Sequence, residues 1–82
     1  MLRYNFGNLL SQFGQHTAAA EHYQQVIAQL PHHRLFRMAL GNSLLQAGRQ
    51  TEALVQFREI LRQYPDYRPA RDAIAAAERR LR

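Results

Sequence analysis

The sequence predicts an all-α fold, an α-α superhelix of helix–turn–helix units, and three observations carry that prediction. Pro31 and Pro65 lie 34 positions apart, and most informative residues around them recur at the same offset. Arg3 recurs as Arg37, Gly7-Asn8 as Gly41-Asn42, Leu10 as Leu44, Gln12 as Gln46, Gly14 as Gly48, Thr17 as Thr51, Ala19 as Ala53 and Gln29 as Gln63. Apolar residues within each unit follow helical spacing, and glycine and proline punctuate both units at the same places. A fixed period in this range marks a repeat array, whose units bury their apolar faces only against one another.

The elements follow in order. Phe6, Leu9, Leu10 and Phe13 keep the i, i+3, i+4, i+7 spacing of one helix stripe. Ala19, Ala20, Tyr23, Val26, Ile27 and Leu30 form the stripe of a second helix. Between them Gly14-Gln15-His16-Thr17 is a turn, repeated as Gly48-Arg49-Gln50-Thr51. Glycine relieves the steric cost of a left-handed residue at a helix end, and threonine is expected to cap the helix that follows. Proline closes each unit because a helix cannot extend through it. The helices are expected over about 3–13, 17–29, 35–47, 51–63 and 68–80.

Gly7 and Gly41 fall inside helices, where glycine costs about 1 kcal/mol relative to alanine. Close approach of the two helices of a unit explains them, and the small Ala19 and Ala53 are expected to form the other side of that crossing. The last stretch carries Ala70, Ala73, Ile74, Ala77 and Leu81 as a stripe among polar residues, and Pro69 suits a first helical turn with Asp66 just upstream. The chain thus divides into a single domain with 1–34 as repeat one, 35–66 as repeat two and 67–82 as a capping helix with a solvated outer face.

At this point the residues resemble the tetratricopeptide repeat, whose pattern is Trp-x2-Leu-Gly-x2-Tyr, then Ala-x3-Phe, then Pro, over 34 residues. The chain reads Arg3-x2-Phe6-Gly7-x2-Leu10, Ala19-x3-Tyr23 and Pro31. It then reads Arg37-x2-Leu40-Gly41-x2-Leu44, Ala53-x3-Phe57 and Pro65. Arginine stands where the family often has tryptophan. The resemblance implies a right-handed superhelix and a protein–protein interaction module or adaptor, holding a peptide segment or a partner helix in the concave groove lined by first helices.

The groove positions so implied are Tyr4, Asn8, Ser11 and Gln12 in repeat one, Met38, Asn42, Leu45 and Gln46 in repeat two, and Asp72, Ala76, Arg79 and Arg80 in the cap. Asparagine offers a donor and an acceptor to a peptide backbone, and Tyr4, Met38 and Leu45 are expected to give apolar contact. Alternatively Asn8 and Asn42 satisfy local polar groups and recur only because the repeat recurs. The carboxylate clamp known in this family uses lysine, asparagine and arginine. Asn8 and Asn42 have counterparts in it, but Tyr4, Asp72 and Ala76 stand where basic residues belong, which argues against chaperone tails as ligands.

Composition narrows the remaining possibilities. Eighty-two residues suit one small domain, with a stability of about 4–12 kcal/mol. The chain has no cysteine, so disulfides and thiol chemistry are excluded. No run approaches the length of a membrane span and the start is not a signal peptide, a pattern that favours the cytoplasm. The first stripe begins almost at Met1, as expected of a short stand-alone protein or a piece of a longer array. Eleven arginines against six acids give a net charge of +5, with no lysine. This favours acidic partners, and weak nucleic-acid binding is the more distant alternative. The arginines are spread over all units, several late in helices where they complement the dipole, and no aromatic–arginine stripe is evident.

Chemistry is not expected. His16, His22, His32 and His33 lack metal-ligand spacing and read as solvated histidines. Glu21, Glu52, Glu59, Asp66, Asp72 and Glu78 are scattered at polar phases with no catalytic ordering, so no catalytic residue, metal or cofactor is assigned. A second reading is self-association, because Leu2, Leu9 and Phe13 of repeat one have no preceding helix to cover them.

Overall fold

The computed structural model describes residues 14–80. Four helices follow one another: α1 (His16–Gln29), α2 (Arg34–Gln46), α3 (Gln50–Gln63) and α4 (Arg68–Arg80). Each packs on its chain neighbours, and α4 also touches α2. This is the all-α helical-repeat architecture that the period implies. The first predicted helix, at about 3–13, lies outside the described residues, as does Gly7.

The core is one cluster drawn mostly from the predicted stripes. Leu45 joins it although expected on the groove row, and Leu30, expected on the stripe, is 43% exposed because it stands past the end of α1. Ala19, Ala20, Tyr23, Val26 and Ile27 come from α1; Phe36, Leu40, Leu44 and Leu45 from α2; Ala53, Leu54 and Phe57 from α3; and Ala77 from α4. Tyr23, Phe36, Leu40, Leu44 and Phe57 are the largest fully buried side chains. Tyr23 and Phe57, equivalent positions of consecutive units, therefore both serve as central aromatic plugs.

The turns repeat with the period, and their geometry explains why. Leu30 and Tyr64, each preceding a proline, sit at φ −130° and ψ 65° and at φ −131° and ψ 74°, outside the helical well that the following proline ring disfavours. Both turns then close in the same way. The His33 N–H donates to the Leu30 carbonyl at 3.2 Å and the Tyr67 N–H to the Tyr64 carbonyl at 3.0 Å, with proline second in each four-residue turn.

The glycine turn between α2 and α3 has a different construction. Gly48 lies at φ +83°. Its N–H donates to Leu45 at 3.1 Å, and the Arg49 N–H reaches Leu44 at 2.8 Å, the paired closure of a helix ended by a left-handed residue. A Gly48→Ala variant has room for its methyl but must hold it in the left-handed region, so it should lose about 1–2 kcal/mol, read as a lower thermal midpoint.

That closure also corrects the expected threonine caps. Arg49 ends α2 and at the same time accepts the Ala53 N–H at 3.0 Å, so α3 starts at Gln50 and Thr51 is already its second residue. Gln15 and Arg49 occupy the cap positions of α1 and α3, and neither makes a side-chain cap hydrogen bond. His16, expected in the turn, is the first residue of α1.

A second correction concerns Gly41. It is buried, as a close crossing requires, but the side chain nearest to it is Phe57 rather than Ala53. The atoms nearest a Cβ built there all belong to the Phe57 ring, with Cζ at 2.7 Å, Cδ1 at 2.9 Å and Cε1 nearer still. Phe57 lies one turn beyond Ala53 on the same face of α3, and its ring fills the notch that the glycine leaves.

The arginine that replaces tryptophan acquires a structural role. The Arg37 guanidinium donates to the Pro31 carbonyl at 2.8 Å and to Gln56 Oε1 at 2.7 Å. One period later Arg71 Nε donates to the Pro65 carbonyl at 3.1 Å. In both units the first helix is thus tied back to the proline turn before it. Arg3, the third member of the series, lies outside the described residues.

Candidate interaction surface

α2 presents two contrasting rows. Phe36, Leu40 and Leu44 are buried, while Leu35, Asn42 and Gln46 are exposed and Met38 is half-buried. Leu45 departs from expectation. It is 7% exposed and belongs to the core cluster, so it offers no ligand contact. The physical reason is that α2 is packed by α1, α3 and α4, which leaves it a polar stripe too narrow to include Leu45. Leu35 is the residue that sequence reasoning missed. At 54% exposure it is a large apolar side chain three residues before Met38, and continuing the row back by one turn would have found it.

On α4, Asp72 and Arg79 are exposed and Ala76 is half-buried. The contact between α2 and α4 places these two rows on neighbouring helices. Arg80 crosses that contact and donates to the Leu45 carbonyl at 3.2 Å, a cation against the C-terminal turn of α2 where the helix dipole favours it. Tyr4, Asn8, Ser11 and Gln12 lie outside the described residues, as do Leu2, Leu9 and Phe13.

Elsewhere the charges pair locally. Arg49 meets Glu52 with Nε–Oε1 at 2.8 Å, and Arg62 meets Glu59 with Nη2–Oε1 at 2.8 Å, both three residues apart. The hydrogen bonds from these guanidiniums hold both carboxyls below the usual carboxylate range. Any stabilisation they lend is present above that range and fades as pH falls through the lowered folded values. It is small, because the pairs are solvated. Arg58 reaches Glu78 on α4 at a longer 3.4 Å.

The turn edge gathers a second group from two parts of the chain, residues 32–36 and 63–67. The Arg34 guanidinium carbon stands 4.9 Å from the Tyr64 ring centroid and 5.3 Å from that of Tyr67, distances at which a cation is attracted to a ring face. Tyr64 Oη donates to the His32 carbonyl at 3.2 Å, and His32 Nδ1 donates to Gln63 Oε1 at 2.8 Å. The His33 ring lies 4.4 Å from Phe36. Shallow clefts flank Arg34, one lined by His32, His33, Leu35 and Tyr64, the other by Gln63, Tyr64, Pro65, Asp66 and Tyr67. This is the aromatic–arginine grouping that the linear sequence conceals, because Arg34 and the tyrosines are a full unit apart.

Among the described residues, no group of three His, Asp or Glu side chains forms a metal-binding cluster, and no helix is long and apolar enough to cross a membrane. Among curated proteins, none matches the chain. The family model described as "Tetratricopeptide repeat" matches residues 4–68, a span that contains both glycine–alanine–aromatic–proline units and the helices α1 to α3 built from them. With the period, the paired turns and the family model in agreement over most of its length, the chain belongs to the tetratricopeptide repeat family.

Proposed function

We propose that this protein holds an extended peptide segment, or the helix of a partner protein, against the exposed rows of α2 and α4. Tetratricopeptide repeats are in general protein-interaction modules and typically non-enzymatic scaffolds. One observation supports this face above others. Asn42 and Gln46 remain accessible on α2, beside half-buried Met38, while the large apolar residues of the same helix, Leu35 apart, are buried. An exposed amide row next to a partly covered thioether suits backbone hydrogen bonding to a ligand with adaptable apolar contact. On α4, Asp72 and Arg79 add one charge of each sign, so this face does not select for carboxylates alone. In this reading Asn8 of repeat one extends the row.

The test starts by identifying a partner by pull-down and mass spectrometry from the native host. Titration calorimetry then compares two variants. Asn8→Ala with Asn42→Ala should weaken binding by about 0.5–1.5 kcal/mol for each lost hydrogen bond and leave far-UV circular dichroism unchanged. Neutralising Arg58 and Arg62 on α3 should alter mainly the salt dependence and the association rate. If the arginine variant loses binding at physiological salt while the asparagine variant keeps it, the groove reading fails.

A further inference from the structure

The turn edge around Arg34 has features that the α2–α4 face does not use. Arg49, Arg58 and Arg62 each have a carboxylate partner. Arg34 has none, and its guanidinium makes no hydrogen bond to any described residue although two tyrosine rings hold it. Asp66 lines the far cleft but forms no ion pair with it. The guanidinium is therefore held beside two rings, with no hydrogen bond from its N–H donors to a described residue. Such a group suits bidentate capture of a carboxylate, because the contacts with the two rings already order the side chain.

The surroundings add sign and shape. Arg34 is the first residue of α2, whose first turn contains no acidic side chain, so the partial positive charge of the helix start adds to that of the guanidinium. Arg68, next to Tyr67, likewise forms no ion pair with a described residue. Beside Arg34, Leu35 is one of three large apolar side chains left exposed among the described residues, and it lines the same cleft as His32 and Tyr64. A cation with free donors next to an uncovered leucine matches a ligand that carries a carboxylate and an apolar side chain close together.

We propose that the cleft at the turn edge docks an acidic peptide segment, with Arg34 receiving a carboxylate and Leu35 packing against an adjacent apolar residue of the ligand. The site adjoins the α2 row at Leu35 but uses neither Asn42 nor Gln46. A polyanion recognised by charge alone would have no use for Leu35, and stacked bases would compete with Arg34 for the tyrosine faces.

The experiment is a titration of the full chain, followed by amide chemical shifts, with a short peptide of alternating aspartate and leucine. Peptides of asparagine with leucine and of aspartate with serine serve as controls, beside an oligothymidylate. The aspartate–leucine peptide should shift the amides of Arg34, Leu35, Tyr64 and Tyr67. Arg34→Gln and Leu35→Ser should each weaken it, the former by about tenfold or more, with circular dichroism unchanged because both side chains are exposed. Both controls should bind more weakly than the aspartate–leucine peptide. The proposal is overturned if the shifts centre on Asn42 and Gln46, if Arg34→Gln binds as well as the parent, or if oligothymidylate shifts the same amides at lower concentration.

Discussion

Replacing Gly41 by alanine should destabilise the protein by about 1–3 kcal/mol, although alanine is the better helix former by about 1 kcal/mol. The added methyl would stand 2.7 Å from Phe57 Cζ and 2.9 Å from Cδ1. Phe57 is fully buried, so its ring has no solvent side to swing into, and the strain must be met by moving α2 from α3. In a domain of this size each kcal/mol lowers the thermal midpoint by about 4–8 °C, well within calorimetric reach. Gly41→Leu should cost more. A double-mutant cycle with Phe57→Leu identifies the cause, because a smaller side chain at 57 relieves the clash and should return a coupling of about 0.5–3 kcal/mol. An unchanged midpoint for Gly41→Ala, or additive effects in the cycle, would rule out the notch.

Deleting residues 67–82 should abolish cooperative folding. α4 makes most of its contacts with α3, and Ala73, Ile74 and Ala77 join the central cluster while Ala70 and Ala77 are fully buried. Without them the covered side of α3 and its approach to α2 meet water. Uncovering a large apolar side chain costs about 1.5–3 kcal/mol, so two such side chains on the face that α4 packs against remove a sum comparable with the whole stability of about 4–12 kcal/mol. Leu61, half-buried even with α4 in place, adds little. The shortened chain should lose helicity in far-UV circular dichroism or sediment as aggregates. A soluble 1–66 fragment with a sigmoidal melt would refute this.

How far the site was legible follows from the same geometry. The row on which Asn42 and Gln46 are exposed and Met38 is half-buried could be read from sequence because it needs only the helical period, and the same rule extended by one turn would have added Leu35. Leu45 was misplaced because the width of an exposed stripe depends on how many neighbours flank the helix, and α2 has three.

The sequence by itself determined the period of 34, the order and approximate ends of the described helices, most of the residues that enter the core and the places of the two kinds of turn. These are local properties: 3.6-residue periodicity, the proline ring, and the freedom of glycine at φ +83° all act within a few residues. Only the tertiary structure decided that Phe57 rather than Ala53 fills the notch at Gly41, and that Arg37 and Arg71 bind proline carbonyls where the family has tryptophan. It alone also set Arg34 between Tyr64 and Tyr67. Those pairings depend on the angle and offset at which one helix or turn crosses the next. A crossing fixes side chains at opposite faces to within an ångström, whereas a repeat pattern fixes only the face on which each one lies.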